Sequence, residues 1–242
     1  ADGELALARS GRDGSHVVLM PADANDTGFA MTSSFTSMLL SCLILLGGES
    51  TAVLGRLAAA ADTVLSTRLA DVARLVAKDP ARLVYLGSGP LRGLAHEAGL
   101  KFLELTAGAR VSFFESALGF RHGPKAVVDE HTQVVVFVSS DPYTRLYDLD
   151  IVAELRAGIG ADNVLVLAGS PVEVDGAWVL PDLEDVPDAF VAAVHILIPQ
   201  LLGAYTSAAL GKHVDNPFPS GDVNRVVQGV VIHPLRIPAD RV

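Results

Sequence analysis

The alternation of apolar runs and helical patterns after residue 80 most constrains how this chain can fold. Residues 133–138 (QVVVFV) form an almost unbroken apolar run, typical of a strand buried inside a parallel sheet. Around it, further strand-like runs and helical patterns alternate in the order 82–86, 90–105, 109–114, then 142–157, 163–167, 177–180 and 188–210. Strands that alternate with helices predict an α/β fold, a three-layer αβα sandwich with a mainly parallel sheet.

The first 80 residues carry less regular patterns. Residues 16–20 (HVVLM) predict a short buried strand, and a polar loop follows at 23–37. This loop runs into an apolar helical segment at 38–46. Residues 49–77 alternate apolar and charged side chains at helical spacing, which predicts one long amphipathic helix ending before Asp79-Pro80.

The charge balance argues against one broad class of function. The 242 residues include 18 Lys and Arg against 28 Asp and Glu, a formal charge of −10, which opposes non-specific nucleic-acid binding.

The sole cysteine, Cys42, cannot form an internal disulfide, which fits a reducing compartment. The first 15 residues lack the apolar core of a signal peptide. We therefore expect a cytoplasmic protein.

One apolar segment raises the question of a membrane span. Residues 189–210 contain no Asp, Glu, Lys or Arg over 22 residues, a length that could cross a bilayer. They do contain His195, Pro199 and Gln200, and the sequence has no second segment of this kind. We interpret the segment as a buried core helix and expect no membrane association.

Three charges form a stripe on the helix predicted at 90–105. Glu97, Lys101 and Glu104 are spaced by four and three residues, so a helix places them on one face among apolar neighbours. Two carboxylates around an ammonium suit proton transfer, although ordinary salt bridges along a helix have the same spacing. His122, in an Arg-His-Gly-Pro sequence, suits proton exchange at a sugar oxygen or a solvated loop position.

Two polar loops contain candidate ligand-binding groups. The loop at 86–93 (LGSGPLRG) includes Ser88, and its glycines suit a dinucleotide site or a plain turn. The loop at 25–36 places three hydroxyl residues before a helix: Thr32, Ser33 and Ser34. Such hydroxyls either bind a sugar phosphate or cap the helix. The histidines show no metal-ligand spacing, so we expect no metal site.

The chain resembles the sugar isomerase (SIS) family of phosphosugar enzymes in four runs, 25–36, 85–108, 115–124 and 137–150. The second run is similar to the opening strand, glycine loop and first helix of a SIS domain, and the third to its histidine loop. The other two are similar to the tagatose-6-phosphate ketose/aldose isomerase group, also described as galactosamine-6-phosphate deaminase/isomerases. The resemblance covers nearly the whole chain and implies the SIS fold.

The resemblance implies a role for each charged candidate. Glu104 would be the base that moves a proton between C1 and C2 of an opened sugar, with Lys101 and Glu97 as charged neighbours. His122 would open the sugar ring from a neighbouring subunit, which implies a homodimer with a shared site. Arg225 stands where a related synthase has an imine-forming lysine; arginine stays protonated and would stabilise negative charge instead.

The same resemblance implies substrate-binding groups and no cofactor. The ligand would be a phosphorylated hexose or hexosamine, and proton transfer requires neither a metal nor an organic cofactor. The residues that would bind the substrate are Thr32, Ser33, Ser34, Ser88 and Asn224.

A domain organisation also follows from the resemblance. Residues 1–47 would be the end of a first SIS domain, 48–80 a linking helix, 81–211 a second SIS domain, and 212–242 a C-terminal tail reaching the active site. The Ser-x-Ser-Gly loop that holds phosphate in first domains is missing from the sequence. We therefore expect a chain that is incomplete at its N-terminus.

The expected activity is that of a phosphosugar aldose–ketose isomerase, and more narrowly an amino-sugar-6-phosphate deaminase/isomerase. It would convert galactosamine-6-phosphate to tagatose-6-phosphate and ammonia through an enediol or enolamine. Three alternatives stay open. They are a non-catalytic sugar-phosphate-binding regulatory module, the isomerase part of a glutamine–fructose-6-phosphate aminotransferase-like enzyme, and a nucleotide-dependent oxidoreductase.

Overall fold

A five-stranded parallel sheet forms the centre of the molecule. The computed structural model describes residues 3–48 and 50–234. The strands are β1 (Arg82–Gly87), β2 (Val111–Glu115), β3 (Thr132–Val138), β4 (Val164–Ala168) and β5 (Trp178–Val179). They lie in the order β2-β1-β3-β4-β5, and each neighbouring pair is parallel. All residues of β3 are buried, as its apolar run predicts for a central strand.

Helices cover both faces of this sheet. Over the described ranges they are α1 (Glu4–Arg9), α2 (Ser33–Gly47), α3 (Ala52–Thr67), α4 (Leu69–Ala77), α5 (Pro90–Leu105), α6 (Ala117–Phe120), α7 (Pro142–Ile159), α8 (Asp188–His195) and α9 (Leu197–Ala209). Tyr85 of β1 and Phe102 of α5 belong to one apolar core, whereas Val84 of β1 and Phe120 of α6 belong to a second. Adjacent strand residues face opposite sides. The predicted three-layer αβα fold is therefore confirmed.

The predicted strand at residues 16–20 is wrong. These residues pair with no strand of the described chain, and Val17, Val18 and Leu19 are exposed. An extended segment becomes a strand only when a neighbouring strand accepts its backbone hydrogen bonds. The apolar composition of this segment predicted a strand, but composition does not show whether a partner strand lies beside it.

The single helix predicted at 49–77 is two helices, α3 and α4, which meet at Arg68. In the last turn of α3, the hydroxyl of Ser66 donates to the carbonyl of Asp62 at 2.8 Å, and that of Thr67 donates to Thr63 at 2.7 Å. Such bonds to the preceding turn weaken and bend a helix. The helical spacing was therefore correct, but its continuity was not.

The long apolar helix predicted at 188–210 is also interrupted, at Ile196 between α8 and α9. Pro199 has no N–H to donate to the carbonyl of His195, and its ring crowds that carbonyl. The stretch Asp188–Ala209 is the one helical stretch of the described chain that is long and apolar enough to cross a membrane. However, 67% of its apolar window is buried inside the chain, which favours a core segment.

Helix α2 packs against the central domain. Apolar side chains of α2, including Phe35 and Leu43, contact the core that contains α5 and α8. The predicted domain boundaries at 47, 80 and 211 remain predictions. Residues 1–2, 49 and 235–242, which belong to the predicted first-domain end, linking helix and tail, lie outside the described residues.

Candidate active site

Helix α5 carries the three charges that the sequence places on one stripe. The helix begins at Pro90, and its inner face is buried between the sheet and α9. Lys101 is 5% exposed. Its ammonium forms an ion pair with Glu104 and lies 3.6 Å from Oε1 of Glu97. One nearly buried cation is thus shared by two carboxylates.

Burial affects the protonation of one carboxyl in this stripe, that of Glu97. Burial raises the pKa of the Glu97 carboxyl, the Lys101 ammonium opposes this rise, and the negative charge of Glu104 adds to it. Lys101 contacts Glu104 through Oε2 only, and Oε1 of Glu104 has no hydrogen-bond partner among the described residues. That oxygen is therefore the one open to receive a proton.

The surface beside Glu104 is open to a ligand or to another polypeptide. Leu100 and Leu103, on either side of Lys101 along the same helix, are 42% and 45% exposed. A cavity of about 350 Å³ lies against Leu105, the residue after Glu104, and Gln200 also lines it. This volume falls within the range of small-molecule sites. The amide nitrogen of Gln200 is buried without a hydrogen-bond partner among the described residues.

The structure of one chain does not bring His122 to this stripe. His122 follows α6, which packs on the opposite face of the sheet from α5. The imidazole is exposed, and within the described chain no hydrogen bond or ion pair joins it to Glu97, Lys101 or Glu104. The two halves of the predicted acid–base pair are therefore separate in a single subunit.

The three predicted hydroxyl residues lie at the start of α2, where their donors meet the carboxylate of Asp26. It accepts hydrogen bonds from the backbone N–H groups of Thr32, Ser33 and Ser34 at 2.9–3.0 Å, and from the hydroxyls of Thr32 and Ser34 at 2.8 and 2.6 Å. Partial burial raises the pKa of Asp26, but the hydrogen bonds from these residues outweigh it and hold the pKa well below its usual range. An internal carboxylate thus occupies the anion position at this helix start.

The C-terminal tail joins the same loop. The guanidinium of Arg225 donates to the carbonyl of Asp26, and Phe29 and Phe218 have ring centroids 5.0 Å apart. A cavity of about 330 Å³ lies between loop and tail, and both Arg225 and Asn224 line it. The amide of Asn224 donates to the carbonyl of Gly221 within the tail. The described tail therefore contacts the loop at 25–30.

Ser88 belongs to a third cluster, at the carboxyl edge of the sheet. Its hydroxyl donates to Asp148 of α7 at 2.6 Å, and the N–H of Ser139 donates to the other oxygen of Asp148 at 3.0 Å. Burial raises the pKa of the Asp148 carboxyl, while the hydrogen bonds from Ser88 and Ser139 lower it. The hydroxyl of Ser139 donates to Asp188 at 2.5 Å.

Sequence reasoning missed the carboxylates that organise these loops, Asp26, Asp148 and Asp188. For Asp148 a signal existed: it shares a helical spacing with the buried Ile151, Val152 and Leu155, which marks a charge on an apolar face. For the other two, the partners are set by loop geometry that no local spacing reveals. Over residues 3–48 and 50–234, no three His, Cys, Asp or Glu side chains are grouped so as to hold a metal ion.

Comparison with known proteins agrees with this architecture. No protein-family profile matches the chain. It is 45% identical over 237 residues to the D-galactosamine-6-phosphate deaminase AgaS of Shewanella sp., covering 97% of this chain and 59% of that protein. It is 44% identical over 229 residues to the D-galactosamine-6-phosphate deaminase AgaS of Escherichia coli, covering 92% of this chain and 59% of that protein.

A solved structure extends the likeness to three dimensions. The crystal structure of tagatose-6-phosphate ketose/aldose isomerase from Escherichia coli matches with a TM-score of 0.83 and 37% identity, over 98% of this chain and 62% of that one. The chain spans about three fifths of the length of the relatives it matches. Fold and sequence together show that it belongs to the sugar isomerase (SIS) family, within which it is similar to the galactosamine-6-phosphate deaminases and tagatose-6-phosphate ketose/aldose isomerases.

Proposed function

We propose that this chain carries the proton-transfer helix of an amino-sugar-6-phosphate deaminase/isomerase acting on galactosamine-6-phosphate. The observation that carries the proposal is the stripe on α5, in which the nearly buried Lys101 pairs with Glu104 and faces Glu97. Relatives with 44–45% identity that are named as deaminases support the same activity. The cytoplasm, where phosphorylated sugars are metabolised, is the proposed location.

The proposed chemistry follows from a carboxylate placed beside an ammonium. In the opened sugar, Glu104 removes the proton from C2 while the aldehyde oxygen at C1 gains a proton, which gives an enolamine. Return of the proton to C1 yields an imine at C2, and water replaces its nitrogen. The products are tagatose-6-phosphate and ammonia. The ammonium of Lys101 forms an ion pair with Glu104, so a positive charge lies beside the carboxylate that accepts the proton.

The ring-opening step is assigned to His122 of a second subunit. Glu104 lies on α5 and His122 on the loop after α6, and these two helices pack on opposite faces of one sheet, which supports a site shared between the subunits of a homodimer. A histidine side chain can donate or accept a proton at the ring oxygen, which suits it to ring opening.

The proposed substrate-binding residues come from three places: the loop before α2, the C-terminal tail, and the end of β1. Arg225 and Asn224 line one cavity with the loop at 25–30, and Arg225 offers a permanent positive charge to the substrate. Thr32, Ser33, Ser34 and Ser88 complete the proposed set. Their donors now face Asp26 and Asp148, so substrate binding by these residues requires an exchange of hydrogen-bond partners.

An assay of Glu104→Gln tests the proposal. The variant, made in the longest natural reading frame that contains this sequence, should lose about 10²- to 10⁴-fold in turnover of galactosamine-6-phosphate, because the base is gone while shape is kept. Ammonia and ketose formation are measured separately, which distinguishes deamination from isomerisation.

The matched control is Glu173→Gln, at an exposed position that forms no ion pair within the described chain, and it should keep full turnover. Undiminished turnover of the Glu104→Gln variant would contradict the assignment. Thermal stabilisation by hexosamine-6-phosphates without any turnover of the unmodified protein would instead favour a sugar-phosphate sensor.

A further inference from the structure

The loop that carries His122, residues 121–125, has a defined backbone shape. The N–H of His122 donates to the carbonyl of Gly119 at 3.1 Å. Gly123 has a φ of 124°, which residues with a side chain rarely adopt. Phe120, just before the loop, is fully buried in the core under α7. The imidazole thus extends from a backbone that is anchored on one side.

The carboxylate of Glu154 binds the residues on both flanks of His122 in this loop. Glu154 of α7 forms an ion pair with Arg121 at 2.9 Å through Oε2, and with Lys125 through Oε1. Arg121 directly precedes His122, and Lys125 follows it by three residues. The supporting helix is firmly packed, since Leu155, next to Glu154, is 1% exposed. A single side chain therefore links both flanks of the loop to a rigid element.

These ion pairs contribute little to the stability of the whole fold. The side chains of Arg121, Lys125 and Glu154 keep 30–40% of their exposure, and ion pairs at such positions add little to the free energy of unfolding. Lys125, and to a lesser extent Arg121, nevertheless hold the pKa of Glu154 below its usual range, so the carboxylate is charged wherever an imidazole titrates. Its effect is therefore local.

We propose that Glu154 is a positioning residue that orders the His122 loop for proton exchange with the sugar; this rests on the proposed role of His122. With the carboxylate neutralised, two cations flank the imidazole without a common anion, and the loop samples more conformations. The imidazole then meets its reaction partner less often, because misplacement of a reacting group lowers the rate.

The test is Glu154→Gln, which removes the charge and keeps the size. We expect kcat to fall about 3- to 10-fold with KM nearly unchanged, since about 1 kcal/mol of ordering is lost. Hydrogen exchange of the amides at 121–126 should become faster. Glu154→Asp, which keeps the charge, should retain more turnover than Glu154→Gln. The matched control is again Glu173→Gln, which should change neither turnover nor exchange in this loop.

A double-mutant cycle separates positioning from a merely structural role. In a His122→Asn background, Glu154→Gln should lower the residual turnover no further, because the group it positions is missing. An equal fold-loss in both backgrounds would overturn the proposal. If the unmodified protein turned over no hexosamine-6-phosphate, the proposed function would fail. The hydrogen-exchange experiment would still test whether Glu154 orders the loop. Unchanged exchange at 121–126 in Glu154→Gln would refute that ordering role.

Discussion

Two charged side chains, Lys101 and Asp148, are buried in this chain and paired with polar or charged partners. Lys101 is nearly buried on α5 and lies close to two carboxylates. A buried charge is costly unless opposite charges compensate it, and these carboxylates do so. Asp148 is fully buried and accepts hydrogen bonds from two loops. The stripe was readable from its spacing alone. The partners of Asp148 were not, because Ser88 lies 60 residues away in the chain.

His195 gives a pH-dependent prediction at the residue scale. Burial lowers its pKa to about 4, although the Asp188 carboxylate raises it. The unfolded chain binds this proton below pH ~6.5, whereas the folded chain binds it only near pH 4. The free energy of unfolding should therefore fall as the pH drops through this window, by up to about 3 kcal/mol.

Urea unfolding between pH 7 and pH 4 measures this effect. His195→Leu should remove that share of the pH dependence, because the residue no longer titrates. His131→Leu, at a side chain that is 69% exposed, is the matched control for the loss of a histidine. Identical pH profiles for the unmodified protein and His195→Leu would show that burial of His195 does not control acid stability.

At the scale of elements, the junction between β1 and α5 depends on a glycine. A Cβ on Gly87 would lie 2.4 Å from the carbonyl oxygen of Leu91, whereas a Cβ on Gly93 of α5 would meet open space. Gly87→Ala should lower the free energy of unfolding by about 1–3 kcal/mol, because rigid backbone must shift. Gly93→Ala should raise it by about 0.5–1 kcal/mol through helix propensity. Equal effects in a urea titration would contradict the close approach.

The elements themselves were largely predictable. The alternation of apolar runs and helical patterns predicted a mainly parallel sheet, whereas the order of its strands came from the structure. Helix α7 begins after Asp141, whose side chain accepts a hydrogen bond from the N–H of Thr144 at 2.7 Å. The errors lie where a pattern continues through a break. Arg68 and Ile196 interrupt two helices whose apolar periodicity carries on beyond them. Periodicity reports which face is buried, and it does not report the direction of the helix axis.

At the scale of the whole molecule, the proposed sharing of the site between two subunits predicts complementation between two damaged subunits. Co-expressed chains with Glu104→Gln and with His122→Asn should form a mixed dimer that has one intact Glu104–His122 pair. With random pairing, turnover should recover to about one quarter of the unmodified level, because half of the dimers have one working site of two. Size-exclusion chromatography checks that dimers form. Dimers without recovery would place both residues of each site in one subunit.

By itself the sequence determined the α/β sandwich and the charged stripe on α5, because periodicity and local spacing encode them directly. It also carries the runs that resemble the phosphosugar enzymes. Only the tertiary structure decided which donors are already satisfied. The Asp26 carboxylate accepts the hydrogen bond of the Ser34 hydroxyl, and the Asp148 carboxylate accepts that of Ser88. A hydrogen bond requires its two atoms to lie about 3 Å apart, whatever their separation in the chain. The tertiary structure also separates His122 from Glu104, because α5 packs on one face of the sheet and α6, which precedes His122, packs on the other.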